Sequence, residues 1–88
     1  MSLNLIIDET VFNHKKETAS IKTRGKTVGE NLNYGVKQDP GLNKFIIDEN
    51  GNLWTGILVK INGKFVQSNQ LTTAVKDGDT IEILKFTG

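Results

Sequence analysis

Asn62-Gly63 stands between Ile57-Leu58-Val59-Lys60-Ile61 and Phe65-Val66. Asn and Gly adopt positive φ at low cost, which is what both central positions of a two-residue type I′ turn require, and the flanking residues alternate in period two. The segment therefore predicts a β-hairpin, and with it a sheet that needs further strands to bury one face. Ile, Val and Thr supply 24 residues and Ala two, a balance that fits pleated strands better than a helical bundle. Leu3, Leu5 and Ile7 alternate, with Ile6 out of phase, predicting a first strand over 3–7. Ala19, Ile21 and Thr23 alternate before Arg24-Gly25 interrupts them, predicting a second strand that pairs back through the polar stretch Asp8 to Glu17. Asp77-Gly78-Asp79 is a tight turn, and Thr80 to Phe86 reads as a final strand.

One helix interrupts this pattern. Thr27 followed three residues later by Glu30 has the spacing of a capping box, so a helix is expected from Val28, with Val28, Leu32 and Val36 on its buried face. It stops before Pro40, whose ring disfavours helical geometry at Asp39. Gly29 and Gly35 each weaken it by about 1 kcal/mol relative to Ala, so packing must hold it in place. Leu42, Phe45 and Ile46 repeat at helical spacing in a second short turn, closed by Asn50-Gly51.

The 88 residues suit one domain with one small core. Zero Cys excludes a disulfide scaffold, a thiolate metal site and a cysteine nucleophile, and the single His14 excludes a multi-histidine metal site. A net charge of +1 gives no electrostatic footprint for general nucleic-acid or anionic-membrane binding, so neither partner is expected. There is no apolar run long enough to span a bilayer and no signal-peptide pattern at Met1-Ser2-Leu3-Asn4, and a cytoplasmic location is expected. His14-Lys15-Lys16 reads as a solvated loop, Asp48-Glu49 as a polar turn, and Asp77 with Asp79 as turn residues. Trp54 and Tyr34 are placed in the core or at its rim.

Two strands, a helix and three more strand segments form an α+β layer, the arrangement of a β-grasp (ubiquitin-like) domain with parallel first and last strands. A small open barrel or a ferredoxin-like split uses similar elements. Four segments carry a more specific signal: Thr27-Val28-Gly29-Glu30-Asn31-Leu32, Pro40-Gly41-Leu42, Gly56 through Lys64, and Val75-Lys76-Asp77-Gly78-Asp79-Thr80-Ile81. In this order and spacing the chain resembles the MoaD/ThiS-like sulfur carriers, the small subunit of molybdopterin synthase and its thiamine-pathway relative.

That resemblance implies the β-grasp fold over residues 1–88, with 85–88 as a C-terminal tail. It further implies a carrier that is not itself an enzyme and binds no cofactor. An E1-like adenylating enzyme would use ATP to activate the carboxylate of Gly88, which then becomes a thiocarboxylate for biosynthetic sulfur transfer, with a synthase large subunit as a further partner. Glycine suits such a tail because a residue without Cβ adds least bulk beside the reacting carbon. Leu58, Leu84 and Phe86 lie on the strand phase opposite Ile57, Val59, Ile61, Ile81 and Ile83, and the resemblance implies that this face docks the activating enzyme. The family's tail ends Gly-Gly, whereas this chain has the β-branched Thr87 before Gly88 and a slightly shorter tail. Three readings follow: a partner adapted to Thr87, lost carrier chemistry, or further residues in the natural product. Two functions thus stand beside the carrier, a β-grasp binding or regulatory subunit and a ubiquitin-like protein modifier.

Overall fold

The computed structural model describes residues 2–86. Strand β1 (Leu3–Ile7) is followed by a 3-10 turn at Glu9–Phe12, strand β2 (Ala19–Thr23), helix α1 (Val28–Gln38), a 3-10 turn at Pro40–Leu42 and a short helix α2 (Asn43–Ile46). Strands β3 (Ile57–Ile61) and β4 (Lys64–Phe65), a 3-10 turn at Gln70–Thr72 and strand β5 (Thr80–Lys85) complete the chain. The five strands form one sheet in the order β2-β1-β5-β3-β4. β1 and β5 run parallel at its centre, with Leu5 opposite Ile81 and Ile7 opposite Ile83. Every other neighbouring pair is antiparallel. This is the β-grasp topology, and it removes the barrel and ferredoxin-like alternatives.

The period-two pattern sets which side chains enter the core. Leu3, Leu5, Ile7, Ile57, Val59, Ile81 and Ile83 all turn to one face and are buried against Val28 and Leu32 of α1 and Leu42 and Ile46 beyond it. Fully burying a side chain of this size stabilises the fold by roughly 1.5–3 kcal/mol, so the sheet's inner face is the main source of stability. The polar stretch after β1 contains a feature that its composition conceals. Asp8 caps the 3-10 turn, and Val11 and Phe12 fold inward, each 2% exposed, with Phe12 edge-on to Phe45 at 5.1 Å between ring centres.

The helix starts where the capping residues place it. Thr27 Oγ1 accepts from the Glu30 backbone N–H (3.1 Å), while the Glu30 carboxylate accepts from Lys26 N–H (2.9 Å), one residue before the usual box partner. Gly29 is required for more than its own backbone: a Cβ there would lie 2.9 Å from the carbonyl oxygen of Leu71, which sits in the 3-10 turn laid across α1. The hairpin has the expected turn, with φ of 50° at Asn62 and 85° at Gly63. Its return strand is shorter than the sequence suggested, since after Phe65 one further bond, Val66 N–H to Val59 carbonyl (2.8 Å), ends the ladder.

Candidate functional site

The sheet's second face has no helix over it. Leu58 of β3 stands directly opposite Leu84 of β5, and both are half-buried. Phe86, two residues beyond Leu84, is 66% exposed. The structure thus brings together the three apolar residues that the sequence assigned to this face. Two more belong with them. Ile6, the residue out of phase in β1, is on the outer face opposite Glu82. Phe65 is 54% exposed opposite Lys60, whose Nζ lies 4.7 Å from its ring centre. The signal for Ile6 was its break in alternation, an apolar residue on the solvent phase of a half-buried strand.

The departure of the tail from this face is fixed on both sides. Lys85, counted with the tail from the sequence, is the last residue of β5, paired with Ile57. Its backbone N–H donates to Thr10 Oγ1 (3.1 Å), and the Thr10 hydroxyl donates to Asp8 Oδ2 (2.7 Å). Thr10 N–H donates to the same carboxylate oxygen (3.1 Å). These two bonds, the hydroxyl first, hold the Asp8 carboxyl below its usual range against a partial desolvation, because they favour its charged form. On the other side Phe86 N–H donates to the Gly56 carbonyl (2.7 Å). The tail therefore begins at Phe86 rather than at 85, because Lys85 is held by the ladder and by Thr10. Thr87 and Gly88, the remaining tail residues named from the sequence, lie outside the described residues.

The other residues singled out are explained by turns. His14 is exposed on the loop after the 3-10 turn, its Nδ1 3.6 Å from Glu9 Oε2. Asp48 Oδ1 accepts from the N–H groups of Asn50 (2.8 Å) and Asn52 (3.0 Å), as a polar turn requires. Asp79 is nearly buried, accepting from Asn62 Nδ2 (2.9 Å) and Lys76 N–H (2.9 Å), and these bonds, the Asn62 amide first, hold its carboxyl below its usual range. Trp54 is at the rim, 44% exposed, with its indole N–H donating to the Lys44 carbonyl (3.0 Å). Among the described residues no group of three His, Cys, Asp or Glu side chains could hold a metal ion, and no helix is long and apolar enough to cross a membrane.

The family model for ThiS matches residues 9–88. The chain belongs to the ThiS family. A search of curated proteins finds no match. Among solved structures it is similar to the BexX/CysO complex of Amycolatopsis orientalis, at 28% identity and TM-score 0.76, covering 98% of this chain and 97% of that one. It is also similar to Mycobacterium tuberculosis CysO, at 24% identity and TM-score 0.78, covering 97% and 99% of the two chains. Small archaeal modifier protein 1 of Haloferax volcanii matches at 22% identity and TM-score 0.73, covering 98% of each chain. The chain thus shares the ubiquitin-like β-grasp fold of the sulfur carriers and modifiers, and the members of its family are small proteins that work with partner enzymes.

Proposed function

We propose that this protein is a sulfur carrier whose reactive group is the main-chain carboxylate of Gly88. A carboxylate oxygen attacks the α-phosphorus of ATP on an E1-like adenylating enzyme, and pyrophosphate leaves. Hydrosulfide then attacks the acyl carbon, the bond to AMP breaks with AMP leaving and one proton released, and the resulting thiocarboxylate carries sulfur to a biosynthetic enzyme, of which a synthase large subunit is one kind. The observation that supports this reading is where β5 ends. β5 ends at the rim, Phe86 is exposed, and the Leu58–Leu84 pair lies beside it on an uncovered sheet face, so a partner can grip the face and draw the chain end into its own active centre. Membership of the ThiS family supports the chemistry, and the Amycolatopsis relative in complex with BexX supports a protein partner.

Incubation with a candidate activating enzyme, ATP and a sulfur donor is expected to exchange one terminal oxygen for sulfur, read by intact mass, and removal of Gly88 is expected to abolish the exchange. No mass change with any candidate partner overturns the proposal. Likeness to a small archaeal modifier favours a second reading, attachment to lysines of other proteins through the same activated carboxylate. Isopeptide-linked adducts in lysates, in place of free thiocarboxylate, decide for it. If blocking Gly88 leaves biological activity unchanged, the protein is instead a binding or regulatory subunit.

A further inference from the structure

The end of the sheet farthest from the tail carries a groove of about 490 Å³, lined by Leu3 of β1, by Arg24, Gly25 and Lys26 between β2 and α1, and by Val75, Lys76 and Asp77 before β5. Its walls are tied to each other by the backbone. Val75 N–H donates to the Lys26 carbonyl (3.0 Å), Gly78 N–H donates to the Ser2 carbonyl (3.0 Å), and Thr27 bridges Ala74. The side chain of Asn31, fully buried, donates to the Gly25 carbonyl (3.3 Å) and holds that turn from below. The groove is thus formed in the free protein, with Leu3 and Val75 as an apolar floor.

Three cations, Arg24, Lys26 and Lys76, line this floor together, and what sets them apart is that they share one groove. Lys16 and Lys44 lie over the rings of Phe12 and Phe45, Lys60 lies over Phe65, and Lys85 donates to Asn13. Arg24, Lys26 and Lys76 have no such ring, and among the described residues none has a carboxylate within 4.0 Å. The nearby acids are engaged or outnumbered. Glu30 accepts from Lys26 N–H, Asp79 is held by Asn62 and Lys76 N–H, and Asp77 alone stands on the groove's rim. Three exposed positive charges around an apolar floor, with one acid on its rim, suit a ligand that brings several carboxylates and an aliphatic group together.

We infer that this groove docks an acidic segment of a partner protein, an aliphatic side chain seated on Leu3 and Val75 and its flanking carboxylates on Arg24, Lys26 and Lys76. A nucleic acid fits less well, because no aromatic side chain lines the groove to stack a base and the net charge is only +1. β5 separates the groove from the tail by roughly 17 Å of strand. A partner held there leaves the apolar sheet face and the C-terminus open to a second protein.

The test uses the full chain, isotopically labelled, titrated at low salt with the capped peptide Glu-Asp-Leu-Asp-Glu and followed by amide chemical shifts. Shifts are expected at residues 24–26 and 75–77, and they should vanish as salt is raised. Combined Arg24→Glu and Lys76→Glu should weaken the peptide by about tenfold or more, while Lys37→Glu with Lys64→Glu should leave it within about twofold. Unchanged sheet resonances in both variants show that the fold is intact. Equal binding of Gln-Asn-Leu-Asn-Gln, shifts centred on the Lys15-Lys16 loop, or tighter binding of an RNA oligomer overturns the inference. Because the readout is peptide binding, it stands or falls independently of thiocarboxylate formation.

Discussion

The two ends of β5 are fastened by similar chemistry for different ends. At Thr80 the Asn62 side chain accepts from the strand's N–H (2.9 Å) and donates to the Asp79 carboxylate; at Lys85 the Thr10 hydroxyl accepts from the strand's N–H and donates to the Asp8 carboxylate. In each case a neutral side chain is held between a carboxylate and a backbone donor. The first fastening joins residues 18 apart and closes a hairpin onto the strand beside it; the second joins residues 75 apart and decides where strand stops and tail begins. One closes the fold, and the other fixes the direction in which the chain leaves the sheet.

Three experiments separate the two roles. The largest stability change is expected from Asn62→Ala, which removes both bonds of the amide and places a residue ill suited to φ of 50° in the turn. A loss of about 1–2 kcal/mol in urea unfolding is expected, with thiocarboxylation of the folded fraction unchanged. A stability loss below a few tenths would show that the hairpin's fastening is idle. Thr10→Val is expected to cost about 1 kcal/mol by leaving Lys85 N–H without its acceptor, yet to slow tail activation more than Asn62→Ala does. If activation rates of the two variants match once folded, the second fastening has no role in aiming the tail. The smallest change concerns acid. Both carboxyls are held below their usual range when folded, so their contribution is complete above the unfolded value of about 3.9 and is lost as pH falls through the folded one. The urea midpoint should therefore fall between pH 5 and pH 2, and Asp8→Asn or Asp79→Asn should each flatten that fall. An equally steep fall in both variants would assign the acid sensitivity to other groups.

The hairpin, the helix start and the inner faces of the strands were legible because each depends on neighbours in sequence: Asn62-Gly63 sets its own turn, and Thr27 finds Glu30 one helical turn away. The fold's central pairing came from the order of these elements and from the family resemblance. Other features depend on what the fold brings near. Val11 and Phe12 were hidden in a stretch that reads as polar, because the 3-10 turn that buries them is capped by Asp8 and packs at the sheet end. Gly29 read as a weakness of the helix because the Leu71 carbonyl that excludes a Cβ is 42 residues away in sequence, and no local rule places it there. Thr10 gave no sign of its bond to Lys85 for the same reason. Within the candidate site, Leu58, Leu84 and Phe86 were readable from strand phase, whereas Phe65 needed the register of β4 against Lys60 to join them.

The parallel pairing of β1 with β5 also governs when the domain can form. β5 lies between β1 and β3, so a nascent chain lacking it has two separate two-stranded ribbons with no strand to join them. Small sheets of that kind are marginal in water, and closing a contact between the first and last strands is slow because so much chain must be looped. Folding on the ribosome must therefore wait until residue 85 has cleared the exit tunnel. The outer sheet face with Leu58 and Leu84 is therefore assembled only in copies whose synthesis has passed β5, and chains that stop before it do not present that face.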